Sequence, residues 1–208
     1  MRILVFHGYL LGGTGSNVYN AALAEAFARA GHEVHLLSQD RDPLSHEWVD
    51  AAGDWDSGEL VVEARRKPAR ITAYRPDIDG LLPLYVADSY EGVEARPFPD
   101  LSDEELDRYL ERNVAAVREV AERVRPDVAL ANHLVMGPAI LARALGGLGV
   151  PYAVKIHGSA LEYTVKPHPE RFLPYAKEGL AGACGVLVGS RHTGERKSRA
   201  GVTPTLPP

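Results

Sequence analysis

The stretch that decides the fold is Arg2-Ile-Leu-Val-Phe-His-Gly-Tyr-Leu-Leu-Gly-Gly-Thr-Gly-Ser-Asn-Val-Tyr19. Ile3 to Phe6 form a short unbroken apolar run, the pattern of a parallel strand buried on both faces. Gly12, Gly13 and Gly15 then let the backbone turn tightly and approach a ligand closely. A helix is expected from about Ser16. Its first amides have no partners inside the helix and carry the positive end of the helix dipole, so they stabilise an anion in front of them without a charged side chain. Phosphate is the natural occupant; the competing reading is a tight turn and nothing more.

Working outward, strands and helices alternate, which is the signature of an α/β domain with a mainly parallel, Rossmann-like sheet between helical layers. The first helix places Val18, Ala22, Leu23, Ala26, Phe27 and Ala30 on one expected apolar face, ends at Gly31 and hands over to a strand from Glu33 to Leu37. Ser38 to Gly58 is polar and reads as a surface excursion, with Trp48 and Trp55 expected to cover the sheet. Further strands are expected at Leu60 to Ala64, Arg70 to Tyr74 and Leu84 to Ala87, with Pro76 and Pro83 as breaks between them. Ser102 and Glu105 form a capping box, Leu101 and Leu106 a hydrophobic staple, and Leu106, Leu110, Val114, Val117, Ala121 and Val124 an apolar stripe that stops at Arg125-Pro126. A strand from Val128 to Ala131, a helix from Gly137-Pro138 to Gly146-Gly147, a strand from Tyr152 to Ile156, a helix around Glu170 to Leu180 and a strand from Gly185 to Val188 complete the order.

The 208 residues, 45% of them hydrophobic, suffice for one large domain. A net charge of -5 and a pI near 5.9 argue against a nucleic-acid surface. No apolar stretch is long enough to cross a bilayer, and the short N-terminal run reads as no signal peptide, so a cytoplasmic protein is expected. Cys184, flanked by small residues, reads as a core residue rather than a nucleophile. In an open parallel sheet, ligands bind beyond the carboxyl ends of the strands. The turns there hold His7 to Gly15, Ser38 to Asp40, Asn132-His133, His157-Gly158-Ser159 and Gly189-Ser190-Arg191. His133 is either a structural hydrogen-bond partner or a ligand contact. His157 is the stronger candidate, because Gly158 permits close approach and Glu162 and Tyr163 follow nearby. The Arg65-Arg66-Lys67 run is either a solvated face or a greeting surface for a phosphorylated acceptor.

Gly12-Gly-Thr-Gly-Ser-Asn-Val-Tyr19 leading to Ala30-Gly-His-Glu-Val-His-Leu-Leu37, the segment Leu82-Pro-Leu-Tyr-Val-Ala-Asp88, the His157-Gly-Ser turn and Gly185-Val-Leu-Val-Gly-Ser190 together resemble the N-terminal domain of family 4 retaining glycosyltransferases, which have the GT-B architecture. The resemblance covers essentially the whole chain. It implies a Rossmann-like domain over residues 1–203 and the start of an interdomain linker over residues 204–208, with the C-terminal donor domain absent. It also implies transfer of a sugar, with retention, from a nucleotide-diphosphate sugar to an acceptor hydroxyl, with no further cofactor and no metal. Gly13 matches the glycine whose amide faces the donor diphosphate, Gly12 and Gly15 shape that loop, and His157 matches the histidine at the donor sugar. Asn17, Tyr85, Lys155, Glu162, Lys166 and Arg171 are the candidates for the acceptor pocket. Without a donor domain the chain is expected to be inactive.

Two other classes compete. A dinucleotide-dependent reductase or epimerase also has glycines after a first strand, but the chain lacks a Tyr-x-x-x-Lys pair, and Asp40 lies beyond the position expected for a ribose-binding acid. A stand-alone nucleotide- or sugar-binding module is the other alternative.

Overall fold

The computed structural model describes residues 1–86 and 93–189. Its main sheet comprises β1 (Arg2–Phe6), β2 (Glu33–Leu37), β3 (Ala51–Asp56), β4 (Glu59–Ala64), β5 (Ile71–Arg75), β8 (Val128–Asn132), β9 (Tyr152–Ile156) and β10 (Gly185–Val188), in the spatial order β10-β9-β8-β1-β2-β5-β3-β4. All pairs are parallel except β3 with β4. From β1 the chain builds outward through β2 on one side, and from β8 through β9 to β10 on the other. The strand order therefore switches between β1 and β8, and a crevice opens beyond Phe6 and Asn132, the place where open α/β sheets bind ligands.

Alternate residues of β1 feed two cores. Ile3 and Val5 join Val34, Leu36, Ile71 and Leu130 beneath α1 (Gly15–Arg29). Leu4 and Phe6 join the larger core beneath α2 (Asp103–Val124), α3 (Gly137–Leu145) and α5 (Pro169–Ala181). The capping box forms as expected: the Glu105 amide donates to Ser102 Oγ, and the Ser102 amide donates to Glu105 Oε2. The α2 stripe is buried from Leu106 to Ala121, with Val114 and Val124 packed at its margin. Between β9 and α5 a short helix, α4 (Gly158–Ala160), runs into a π-helical turn, Leu161–Val165.

Four expectations need correction. The buried face of α1 carries Asn17, Asn20, Ala21 and Ala24, while Val18, Ala22, Ala26 and Ala30 are exposed. Polar anchors at the helix start set its rotation, and alanines have little area to bury on either side. The excursion from Ser38 to Gly58 contains β3, whose Ala-Ala-Gly-Asp-Trp-Asp sequence hides a strand because Tyr74 fills the space a side chain at Gly53 would need. Ser57 and Gly58, with φ of 52° and 86°, make the tight turn into β4 that matches the twist of a hairpin. The strand expected at Leu84 to Ala87 begins earlier, as β6 (Leu81–Leu84), and pairs with β7 (Glu94–Pro97) in a separate two-stranded sheet. Pro83 lies inside it, at a position free of any need to donate; Ala87 is outside the described residues. Cys184 is exposed, and Ala183 takes the core position beside it. Both tryptophans do cover the sheet: Trp48 packs on the smaller core, and Trp55 on the larger one with its Nε1 donating to Glu119.

The crossing of α3 and α5 depends on Gly179, where a Cβ would lie 2.4 Å from Pro138 Cβ and 2.5 Å from its carbonyl carbon. Gly179→Ala should therefore cost about 1–3 kcal/mol by overpacking. Gly12→Ala, facing open space without a left-handed φ, should stay within about 0.5 kcal/mol of the parent. Urea midpoints of the two variants check this; equal midpoints would show that the crossing is not locked.

Candidate active site

The switch-point crevice is organised from His7, the first residue after β1. Its Nε2 donates to Asn17 Oδ1 at 3.0 Å and to the Leu10 carbonyl at 3.1 Å, while Asn20 Nδ2 donates to its Nδ1 at 3.0 Å. Asn20 Nδ2 also reaches the Ser16 carbonyl at 2.8 Å, which assigns the amide orientation and hence the His7 tautomer. Asn17 Nδ2 closes the network on the Gly12 carbonyl at 2.7 Å. All three side chains are buried. They clamp the glycine loop to the first turns of α1. Burial lowers the His7 pKa to about 4, against the opposing effects of its bonds to Asn17 and Leu10, so the ring is neutral at pH 7.

The helix start that this clamp holds is open. Gly13 has φ +90° and faces empty space. Thr14 occupies the N-cap, yet its hydroxyl turns to Ser16 Oγ at 3.3 Å and caps nothing. No acidic side chain lies in the first turn. The leading amides of α1 thus have no side-chain acceptor, which leaves their dipole end available to an anion.

Opposite them stands His133. It sits in the left-handed region at φ 67°, is 2% exposed, and neither ring nitrogen has a hydrogen-bond partner among the described residues. Tyr85, His157, Tyr9 and His7 surround its ring at centroid distances of 4.4, 5.0, 5.6 and 6.5 Å. Burial, then the neighbouring His157 and His7, hold its pKa well below the usual histidine value. The loop that carries it is packed so closely that a Cβ on Gly137 would lie 2.8 Å from the Asn132 carbonyl. His133 lines a cavity of about 150 Å³ with Tyr9, Thr14, Ser16, Asn17, Leu84, Tyr85, Val86 and Ser159. An unpartnered, buried polar ring facing a cavity has left its hydrogen bonds for a ligand or a water to complete.

The other candidates fall into three groups. Asn17 and Tyr85 line the cavity, although the amide of Asn17 is used within the protein and the Tyr85 hydroxyl donates to the Val135 carbonyl; Gly12, Gly13 and Gly15 do not line it themselves but flank Thr14 and Ser16, which do. His157 lies next to them, its Nε2 donating to Asn132 Oδ1 at 3.2 Å and its pKa lowered by burial and then by Lys155. Lys155 stands over the ring of Tyr19. Glu162 and Lys166 form an ion pair on the π-helical turn. Arg171 ties α5 to the chain ahead of α2 through the Pro99 and Leu101 carbonyls and Asp103, away from the cavity. Arg65 likewise spans the carbonyls of Leu44, His46, Glu47 and Val49, so that charge serves the fold. Ser190 and Arg191 lie outside the described residues. Asn20, Tyr9 and the role of His7 had no chemical motif to announce them. Among the described residues, no group of three His, Cys, Asp or Glu side chains converges on a metal position, and no helix is long and apolar enough to cross a membrane.

Because the folded pKa of His7 lies below its unfolded value near 6.5, the unfolded chain binds the extra proton first. Stability is then complete above pH 6.5 and falls as the pH drops toward 4. The His7 ring should titrate near 4 by NMR, and His7→Gln should flatten the acid limb of the stability profile. A midpoint near 6.5 would show that the clamp is not dry.

The comparisons with known proteins fit this geometry. A family model described as glycosyl transferase 4-like domain matches residues 14–206. Sucrose-phosphate synthase from Thermosynechococcus elongatus superposes with a TM-score of 0.59 at 17% identity, over 99% of this chain and 46% of that one. Another structure of the same synthase gives 0.58 at 15% identity, over 99% of this chain and 85% of that one. A putative UDP-N-acetylglucosamine 2-epimerase from Listeria monocytogenes gives 0.56 at 13% identity, over 98% and 43%. The chain thus spans about half the length of two of these three structures. No curated protein sequence matches it. These likenesses place the fold as a Rossmann-like half of the GT-B architecture, and by its family match the chain belongs to the glycosyl transferase 4-like domain family.

Proposed function

We propose that this chain is the N-terminal half of a retaining glycosyltransferase that moves a sugar from a nucleotide-diphosphate sugar to an acceptor hydroxyl in the cytoplasm. The observation that carries the reading is His133: buried, left-handed, unpartnered at both nitrogens, and lining a cavity shared with the open start of α1. A neutral imidazole offers one donor and one acceptor. A sugar hydroxyl needs both. The donor diphosphate lies against the amides around Gly13 and Gly15, and the sugar extends toward His133 and His157.

Breaking a glycosyl phosphate bond develops negative charge on the diphosphate and positive charge at the sugar carbon. Fixed amides at the helix start stabilise the first without reorganising. None of the described residues lining the cavity is a carboxylate. Attack by the acceptor hydroxyl from the face the leaving group departs therefore suits the site better than an enzymic nucleophile. The match to only about half of the longer relatives supports a second, donor-holding domain in the working enzyme, joined through residues 204–208. Alone, residues 1–203 leave one side of the diphosphate in water, where high dielectric weakens each contact, so the isolated chain is inactive.

The test is His133→Phe in the enzyme complete with its donor domain. The variant gives up no protein hydrogen bond, so it should still fold cooperatively, with its melting temperature lowered modestly by the left-handed φ and the larger ring. Transfer should fall about 100-fold or more, the scale for losing a preorganised polar contact. Near-parental turnover would remove His133 from the site.

A further inference from the structure

His157, whose ring lies 5.0 Å from that of the cavity-lining His133, belongs also to a second cluster beside the cavity. Lys155 is the penultimate residue of β9 and projects from the same side of the sheet as Ala153, which packs on the core beneath α1. Its Nζ lies 5.5 Å from the centroid of Tyr19, and no carboxylate among the described residues pairs with it. Tyr19 sits four residues into α1, about 6 Å along the axis from the helix start. The lysine charge is therefore held at the same end of α1 as the open amides. His157 meets the edge of Tyr19 at 5.4 Å. Its Nε2 is occupied by Asn132, while no hydrogen bond to its Nδ1 is found among the described residues. The next ring, 5.0 Å on, is His133 with both nitrogens unpartnered.

We propose that Lys155, Tyr19 and His157 form an anion subsite beside the cavity that receives a phosphoryl group of the substrate. An aromatic face steadies a cation without neutralising it, so the ammonium stays available to a phosphoryl oxygen. The same oxygen, or its neighbour, takes a hydrogen bond from His157 Nδ1 once that ring gains a proton. The charged and titratable groups facing His157 are Lys155, His133 and His7, all cationic or neutral. An anion is the component missing from the cluster.

The assignment of that phosphoryl group to a glycosyl-transfer substrate rests on the proposed function; the subsite itself does not. Two sources share the chemistry: the donor diphosphate, or a phosphate on the acceptor. The experiment follows the His157 ring by NMR in the full chain during titration with inorganic phosphate, alone and with saturating uridine diphosphate. Phosphate should raise the His157 midpoint, and Lys155→Met should abolish the rise. Lys155→Arg, which keeps the charge, should retain it and covers the case in which the methionine variant does not fold. Displacement of phosphate by uridine diphosphate assigns the subsite to the donor; binding of both together assigns it to the acceptor. A His157 midpoint indifferent to phosphate, or a rise that persists in Lys155→Met, overturns the proposal. If nucleotide sugars bind and Lys155→Met leaves phosphate binding intact, the subsite falls while the transferase reading stands. Phosphate binding through Lys155 without any binding of nucleotide sugars gives the reverse.

Discussion

The structure depends on the polar clamp between His7, Asn17 and Asn20. Two asparagines on the buried face of a helix surrender apolar contact, and burying their amides is tolerable only because each is hydrogen-bonded. In return the clamp fixes several things together. It sets the rotation of α1, which is why Val18 and Ala22 face outward. It holds the Gly12 carbonyl and therefore the glycine loop. Burial, against the opposing pull of the clamp's own hydrogen bonds, keeps His7 neutral, so no positive charge competes with the amides at the helix start.

His133 is the counterpart on the other side of the switch point. Its positive φ and two unpartnered nitrogens both cost free energy. The dense packing around Gly137, Leu134 and Met136 holds the residue there. A fold that stabilises such a residue against its own preference has a ligand-ready group at the cavity wall. The ring contacts from Lys155 through Tyr19 and His157 extend that wall along β9.

Much of this was legible in the residues. The strands Glu33 to Leu37, Tyr152 to Ile156 and Gly185 to Val188 match their observed bounds, because each is a short apolar run between turn residues. The capping box and the Gly31 terminus are local chemistry, and both form. What stayed hidden is decided at a distance. β3 is a strand because β5 and β4 flank it, and its weak apolar content accommodates Tyr74. The face of α1 is set by His7, ten to thirteen residues away. The sequence placed His133 and His157 in post-strand turns, but only the backbone angle and the absent partners distinguish the first from a structural histidine. Arg171 shows the converse: a plausible ligand cation whose bonds all serve the chain ahead of α2.

The central claim is that one ligand spans the open start of α1 and His133. Titration of the isotope-labelled chain with millimolar nucleotide-diphosphate sugars, followed through its amide and imidazole resonances, tests it directly. The account predicts that the amides of Gly13, Gly15 and Ser16 and the ring of His133 shift together along one binding curve. Saturable binding that leaves those four positions unmoved would contradict it.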